Sequence, residues 1–182
     1  MRIIGGKHKG RKIHAPKNLP ARPTKDITKE SLFNALSNRF FFNEIRVLDL
    51  FSGTGNIAFE FASRGTPTVI AVDKHRGSVK FIEKTARQLD LSVTAIQADV
   101  KDFLQIPASE TFDVVFMDPP YNIAEETLFQ LIDLVFLNHY LHENGLLIIE
   151  HHKTKRLDRH PAHKKSKSYG QSVLSYFEKP GK

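Results

Sequence analysis

From residue 45 onward the chain alternates short continuous apolar runs with stretches of helical spacing. Ile45–Phe51, Thr68–Val72, Val93–Gln97, Asp113–Met117 and Leu146–Glu150 read as strands, the first of them buried. Asn56–Ser63, Gly77–Leu89 and Ala124–His139 read as helices, with Arg64-Gly65 stopping the first. Strands alternating with helices predict an α/β fold with a parallel sheet covered on both faces. Such sheets bind ligands beyond the carboxyl ends of their strands.

The two ends of the chain follow other patterns. Arg2-Ile3-Ile4 and Arg11-Lys12-Ile13-His14 are short extended pieces separated by Gly5-Gly6 and Gly10, which predicts a basic hairpin. Pro16, Pro20 and Pro23 keep the next stretch irregular. Thr24 or Asp26 then caps a helix running to about Asn38, with Ile27, Leu32, Phe33 and Leu36 on its buried face. Phe40-Phe41-Phe42 reads as core. At the far end Lys153–Lys167 is polar and basic, Ser168-Tyr169-Gly170-Gln171 offers a turn, and Ser172–Glu178 is β-rich, a last antiparallel strand closing the sheet. The expected organisation is a basic extension over 1–23 and a single domain over 24–182.

Charge changes the picture. Residues 1–25 hold eight Lys/Arg and no Asp/Glu, and residues 151–182 hold nine Lys/Arg against Asp158 and Glu178. The stretch between them has 10 basic against 18 acidic residues. Basic ends on an acidic body suit a polyanion, nucleic acid above all, although lysine runs also serve as solvated surface. No apolar run is long enough to span a bilayer and none forms a secretory signal, so the expectation is a cytoplasmic protein away from membranes. The 182 residues include no cysteine, which removes disulfides, thiolate metal sites and any reaction through a cysteine adduct. Nine histidines show no metal-ligand spacing; His151-His152 is expected on the exposed edge after the fifth strand.

Chemistry concentrates at the strand ends. Phe116-Met117-Asp118-Pro119-Pro120-Tyr121 carries an apolar run into an acid, two prolines and an aromatic. Prolines have no N–H, and each residue before a proline is held extended. Asp118 and the Pro119 carbonyl therefore offer acceptors beside the Tyr121 ring, a socket for a planar amine; the plainer reading is a turn after a strand. Upstream, Gly53-Thr54-Gly55-Asn56-Ile57-Ala58 satisfies a permissive glycine-loop pattern, with Asp73 lying 18 residues after Gly55, which would also suit a nicotinamide dinucleotide. Asp49, within Val47-Leu48-Asp49-Leu50-Phe51, disfavours a pyrophosphate and favours an amino group or sulfonium.

V-L-D-L-F-S-G-T-G, Asp73 after the second strand, Asp99 after the third and D-P-P-Y after the fourth together resemble the class I S-adenosylmethionine-dependent methyltransferases, the last motif their amino-methylating branch. That resemblance implies a Rossmann-like, mostly parallel seven-stranded sheet with helices on both faces. It also implies that Asp49, Ser52, Gly53 and Gly55 hold the methionine end of the cofactor, Asp73 the ribose and Asp99 the adenine. For Asp73 and Asp99 the plainer reading is a helix cap. M-R-I-I-G-G-x-x-x-G-R-K at the start, R-P-T-x-D at 22–26, L-F-N at 32–34, S-R-G at 63–65 and S-Y-G-x-S at 168–172 extend the match to the RsmD family. Its members methylate N2 of a guanine in 16S ribosomal RNA. Ile27 and Lys29 stand where that family usually has arginines.

The resemblance implies a monomeric enzyme whose partner is 16S rRNA or the assembling small subunit. Arg2, Lys7, Lys9, Arg11, Lys12 and Arg22 are the expected RNA contacts. Asp118, Pro119 and Tyr121 are the expected catalytic groups, two acceptors and a stacking ring, with no general base and no metal. Competing readings are methylation of adenine N6 or of another nucleic acid, a non-catalytic ribosome-assembly protein, and a dinucleotide-dependent dehydrogenase.

Overall fold

A computed structural model describes residues 1–19 and 26–179. Seven strands form one sheet in the order β3-β2-β1-β4-β5-β7-β6, counted along the chain, and the chain divides into two compact units, Met1–Ala98 and Asp99–Lys182.

The N-terminal unit contains α1 (Asp26–Ser37), β1 (Arg46–Leu50), α2 (Asn56–Ser63), β2 (Thr68–Asp73), α3 (Arg76–Gln88) and β3 (Val93–Gln97). Its strands are parallel, with Val47 opposite Val69 and Val69 opposite Val93. Val47, Leu48 and Leu50 are fully buried, as continuous apolar strands in covered parallel sheets are. Against α2 lies an aromatic cluster, the Phe33 ring 4.7 Å from Phe61 and 5.8 Å from Phe42.

Two expectations for this unit need correction. Ile27 is 67% exposed, and the buried face of α1 is Thr28, Lys29, Leu32, Phe33 and Leu36. The stripe is closed by a lysine because Lys29 has buried partners on α2, so apolarity alone misplaced its edge. The phenylalanine triplet is not all core: Phe42 joins the aromatic cluster, whereas Phe41 is 75% exposed. The expected Thr24 cap lies outside the described residues.

The C-terminal unit contains α4 (Val100–Gln105), β4 (Phe112–Met117), α5 (Glu125–Leu137), β5 (Leu141–His152), β6 (His163–Tyr169) and β7 (Ser172–Phe177). β4 and β5 are parallel, and β7 lies antiparallel between β5 and β6. The expected last strand is therefore followed in space by an edge strand made from the polar stretch before it, with Gly170 (φ 64°) at the turn between them.

His151 also differs from expectation. It lies inside β5, 4% exposed, with Nε2 2.7 Å from Ser175 Oγ, because the paired strand β7 covers it. Desolvation pulls its pKa below the usual 6.5, outweighing the His152 carbonyl, Glu125 and Asp158, which raise it; His163 lowers it further. The unfolded chain thus takes up a proton near 6.5 that the folded chain refuses, and stability falls as pH drops through that value. His151→Gln should flatten this fall, read from urea midpoints on either side of the histidine range; an unchanged slope would mean that His151 titrates alike in both states.

Candidate active site

The first strand of the N-terminal unit delivers Asp49 to a loop with alternating backbone handedness. Asp49 is 1% exposed, and its Oδ2 accepts the Ala58 N–H at 3.1 Å in the first turn of α2. Charge at that position complements the positive helix end. Beyond β1, Phe51 (φ 57°), Gly53 (φ 53°) and Gly55 (φ 79°) are left-handed. For a phenylalanine this conformation costs about 1–3 kcal/mol, strain that persists only where surroundings enforce it. Ser52 supplies the enforcement: its N–H and hydroxyl both reach the Val72 carbonyl, at 3.1 and 3.2 Å, and its own carbonyl accepts from Gly55 N–H at 2.7 Å. A Cβ on Gly55 would sit 3.0 Å from both Ile82 and Phe59 side chains, so the third loop position is closed to other residues.

Asp73 fastens the same loop from the end of β2. Its Oδ2 accepts the Gly53 N–H at 2.8 Å and its Oδ1 accepts the His75 N–H at 2.8 Å. His75, rather than Asp73, caps α3, its ring nitrogen accepting from Ser78 N–H at 3.2 Å. Asp99 does cap a helix: exposed at the start of α4, it accepts the Lys101 N–H at 2.9 Å. A carboxylate has about four acceptor sites, so neither arrangement exhausts the group.

In the C-terminal unit β4 carries its chain from buried Val114–Met117 to half-buried Asp118 and buried Pro119, with Pro120 and Tyr121 outside. The Pro120 carbonyl accepts from Ile123 N–H at 3.1 Å and shapes the turn. Residues far along the chain hold it. The Tyr121 hydroxyl lies 3.1 Å from Ser172 Oγ, and its ring meets His152 edge-on at 5.3 Å between centroids. Lys155 Nζ donates to the Ile123 carbonyl at 2.7 Å, and Arg156 N–H donates to Glu125 at the head of α5 at 2.7 Å. Residue-level reasoning identified none of these braces; only the S-Y-G-x-S resemblance includes Ser172.

The basic N-terminal segment is docked on the N-terminal unit. Arg2 and Lys12 form one antiparallel bridge, and a 3-10 turn over Gly6–His8 joins the two pieces. Ile4 N–H donates to Glu60 at 2.9 Å, while Ser63 Oγ donates to the Gly5 carbonyl at 2.7 Å and accepts His8 N–H at 3.0 Å. Gly6 (φ 74°) approaches so closely that a Cβ would fall 1.8 Å from the Ser63 carbonyl oxygen. Lys29, 1% exposed, donates to Asn56 at 3.0 Å and to the Arg2 carbonyl, and pairs with Glu60 at 3.3 Å. Lys29 is thus inside, bonded within the unit. Arg2 pairs with Asp26 at 2.8 Å and Lys7 with Asp90 at 3.1 Å, both at the surface, and Lys9, Arg11 and Lys12 are exposed. Arg22 lies outside the described residues. Among the described residues no three His, Asp or Glu are grouped to hold a metal ion, and no helix is long and apolar enough to cross a membrane.

The sheet order, its antiparallel seventh strand and the left-handed loop after β1 define a Rossmann-like class I methyltransferase fold. The ribosomal protein L11 methylase of Lactobacillus delbrueckii subsp. bulgaricus shares that fold, with a TM-score of 0.67 at 16% identity over 87% of this chain and 81% of its own. A hypothetical protein of Thermus thermophilus superposes with a TM-score of 0.84 at 29% identity, covering 98% and 99% of the two chains. Ribosomal RNA small subunit methyltransferase D of Haemophilus influenzae is 35% identical over 163 residues, 86% of this chain and 81% of that protein. The model of the family described as conserved hypothetical protein 95 matches residues 1–178. The chain belongs to this family, the RsmD methyltransferases.

Proposed function

We propose that the chain methylates the exocyclic N2 of a guanine in 16S rRNA, with S-adenosylmethionine as donor, in the cytoplasm and on RNA of the small subunit. The observation that supports this reading is the buried β4 strand ending in half-buried Asp118 and buried Pro119, two adjacent acceptors of the kind an amine needs. The relatives named as small-subunit methyltransferases supply the substrate class.

The loop of the N-terminal unit fits that donor. Its acid is buried, its backbone is opened by three positive-φ residues, and Asp73 keeps lone pairs for a ribose diol. Asp49, Ser52, Gly53 and Gly55 would hold the methionine end, Asp73 the ribose and Asp99 the adenine. When bound, the cofactor supplies an electrophilic methyl on a sulfonium. Everything else falls to the chain. Asp118 and the Pro119 carbonyl accept the two amine hydrogens, drawing the lone pair out of conjugation with the purine ring and stabilising the positive charge that grows on nitrogen. Tyr121, held at its hydroxyl by Ser172, presents its ring for stacking. No histidine base is needed, because the proton becomes acidic only after nitrogen acquires charge, and Asp118, already its hydrogen-bond acceptor, then takes it. A paired base could not reach two acceptors at a strand end, so the target is unpaired or flipped out.

Nucleoside mass spectrometry of 16S rRNA, both naked and assembled into small subunits, incubated with the chain and S-adenosylmethionine should show N2-methylguanosine. N6-methyladenosine instead would overturn the choice of base, and no methylated nucleoside would overturn the reaction.

The arm supplies a second test. Neutralising Lys9, Arg11 and Lys12 with glutamine should weaken RNA binding and reduce the slope of log affinity against log salt by about 2, at roughly 0.7 per phosphate contact on a single strand. An unchanged slope would remove the arm from the RNA footprint.

A further inference from the structure

The β6–β7 hairpin gathers two lysines and an aromatic ring on one face. Pairing places Tyr169 opposite Ser172 and Ser172 opposite His152, so these three form one cross-strand row at the carboxyl end of β5. Two residues back along β6, Lys167 shares the row of Leu174, and then Lys165 that of Tyr176. Paired residues project to one face and alternate ones repeat it, so Tyr169, Lys167 and Lys165 stand together. Lys167 Nζ lies 5.5 Å from the Tyr169 ring centre and Lys165 Nζ 5.1 Å from that of Tyr176. Elsewhere on β6, Ser166 Oγ meets Ser175 Oγ at 2.8 Å, Ser168 is opposite Val173, and exposed Lys164 falls at the irregularity between His163 and Lys165. Lysines that merely blunt an edge strand need not choose a face. Lys165 and Lys167 share one with Tyr169, and that face carries Ser172, the residue bound to the Tyr121 hydroxyl.

We propose that this face of the hairpin is a second RNA subsite, holding single-stranded nucleotides that flank the target base. The Tyr169 ring stacks on a flanking base while Lys165 and Lys167, both exposed, neutralise its phosphates. Aromatic and cationic groups interleaved on one strand face are what an unpaired strand requires, since every base has a π-face and every link a charge. Ser172 pairs with Tyr169 and is hydrogen-bonded to Tyr121, which links the subsite to the amine socket of the same unit. The inference rests on the RNA-methyltransferase reading.

The test uses the full chain, a labelled single-stranded RNA oligonucleotide and transcribed 16S rRNA. Tyr169→Leu should lower affinity for both RNAs about tenfold or more, whereas Tyr169→Phe, which keeps the ring, should stay within about twofold of the parent. The pair Lys165→Gln, Lys167→Gln should reduce the salt slope by about 1.4. S-adenosylmethionine binding and kcat at saturating RNA should change little in all three, so that the loss appears in KM. Unchanged RNA affinity and slope in both the leucine and the glutamine variants overturn the subsite, as does new self-association of the glutamine variant as its sole effect. Loss of binding to assembled subunits with naked RNA unaffected would assign the face to a protein and overturn it too. If the parent methylates no guanine yet the variants still lose RNA affinity, the reaction assigned above falls and the subsite stands.

Discussion

Asp118→Ala should lower kcat for 16S rRNA methylation by at least about 10²–10³-fold, the range found when one electrostatic stabiliser of a transition state is removed. Cofactor affinity should survive, because five of the six proposed cofactor contacts, Asp49, Ser52, Gly53, Gly55 and Asp73, belong to the other unit, and the sixth, Asp99, lies at the start of α4. The fold should survive as well, since Asp118 is half-buried and follows β4 instead of lying within it. Single-turnover assays beside calorimetry of S-adenosylmethionine binding read the two effects separately. Asp118→Asn refines the result. Asparagine keeps one acceptor oxygen and loses the charge, so intermediate activity assigns part of the effect to geometry, and activity as low as that of alanine assigns it to charge. A fully active alanine variant ends the acceptor mechanism. A variant that also loses the cofactor would make Asp118 a structural residue instead.

The alternating core was legible because β1, β2 and β4 repeat one rule: an apolar run, an acid in it or at its end, then a helix. Asp49, Asp73 and Asp118 stood out for that reason, being charges at or beside buried strands. Their partners did not stand out. The Gly53 N–H held by Asp73 and the Tyr121 hydroxyl held by Ser172 join positions 20 and 51 residues apart, and nothing local marks them. β6 escaped because His163–Tyr169 is polar almost throughout; its pairing comes from the apolar strand β7 beside it. α4 escaped because six residues give too few turns to show a period. Lys29 and His151 failed for one reason. In sequence a polar side chain reads as surface, yet each of these has buried partners supplied by another element, Glu60 and Asn56 in one case and Ser175 in the other.

Glu60→Gln is the second large effect. Glu60, 0% exposed, accepts Ile4 N–H at 2.9 Å, pairs with Arg64 at 2.9 Å one helical turn on and with Lys29 at 3.3 Å. Glutamine keeps the size and an acceptor but leaves the Lys29 ammonium buried without its counter-charge. Breaking one side of such a pair costs about 3–5 kcal/mol, to be read from urea unfolding. Lys29→Met combined with Glu60→Gln should recover part of the loss, because the stranded charge goes with it. The pH dependence has a definite sign. Burial already pulls the Lys29 pKa below its usual 10.5 against the upward pull of Glu60, and removing Glu60 lowers it further. Between that depressed value and 10.5 the unfolded chain holds a proton that the folded chain has released, so stability rises with pH and the deficit of Glu60→Gln shrinks as pH approaches 10.5. Lys29 also touches Asn56 at the start of α2 and the Arg2 carbonyl, so the same variant should loosen the basic arm and the end of the glycine loop together. Faster amide exchange at Ile4 and His8 would register the first, and weaker S-adenosylmethionine binding the second. A deficit below about 1 kcal/mol, the scale of an exposed ion pair, would mean that the cluster does not anchor the arm.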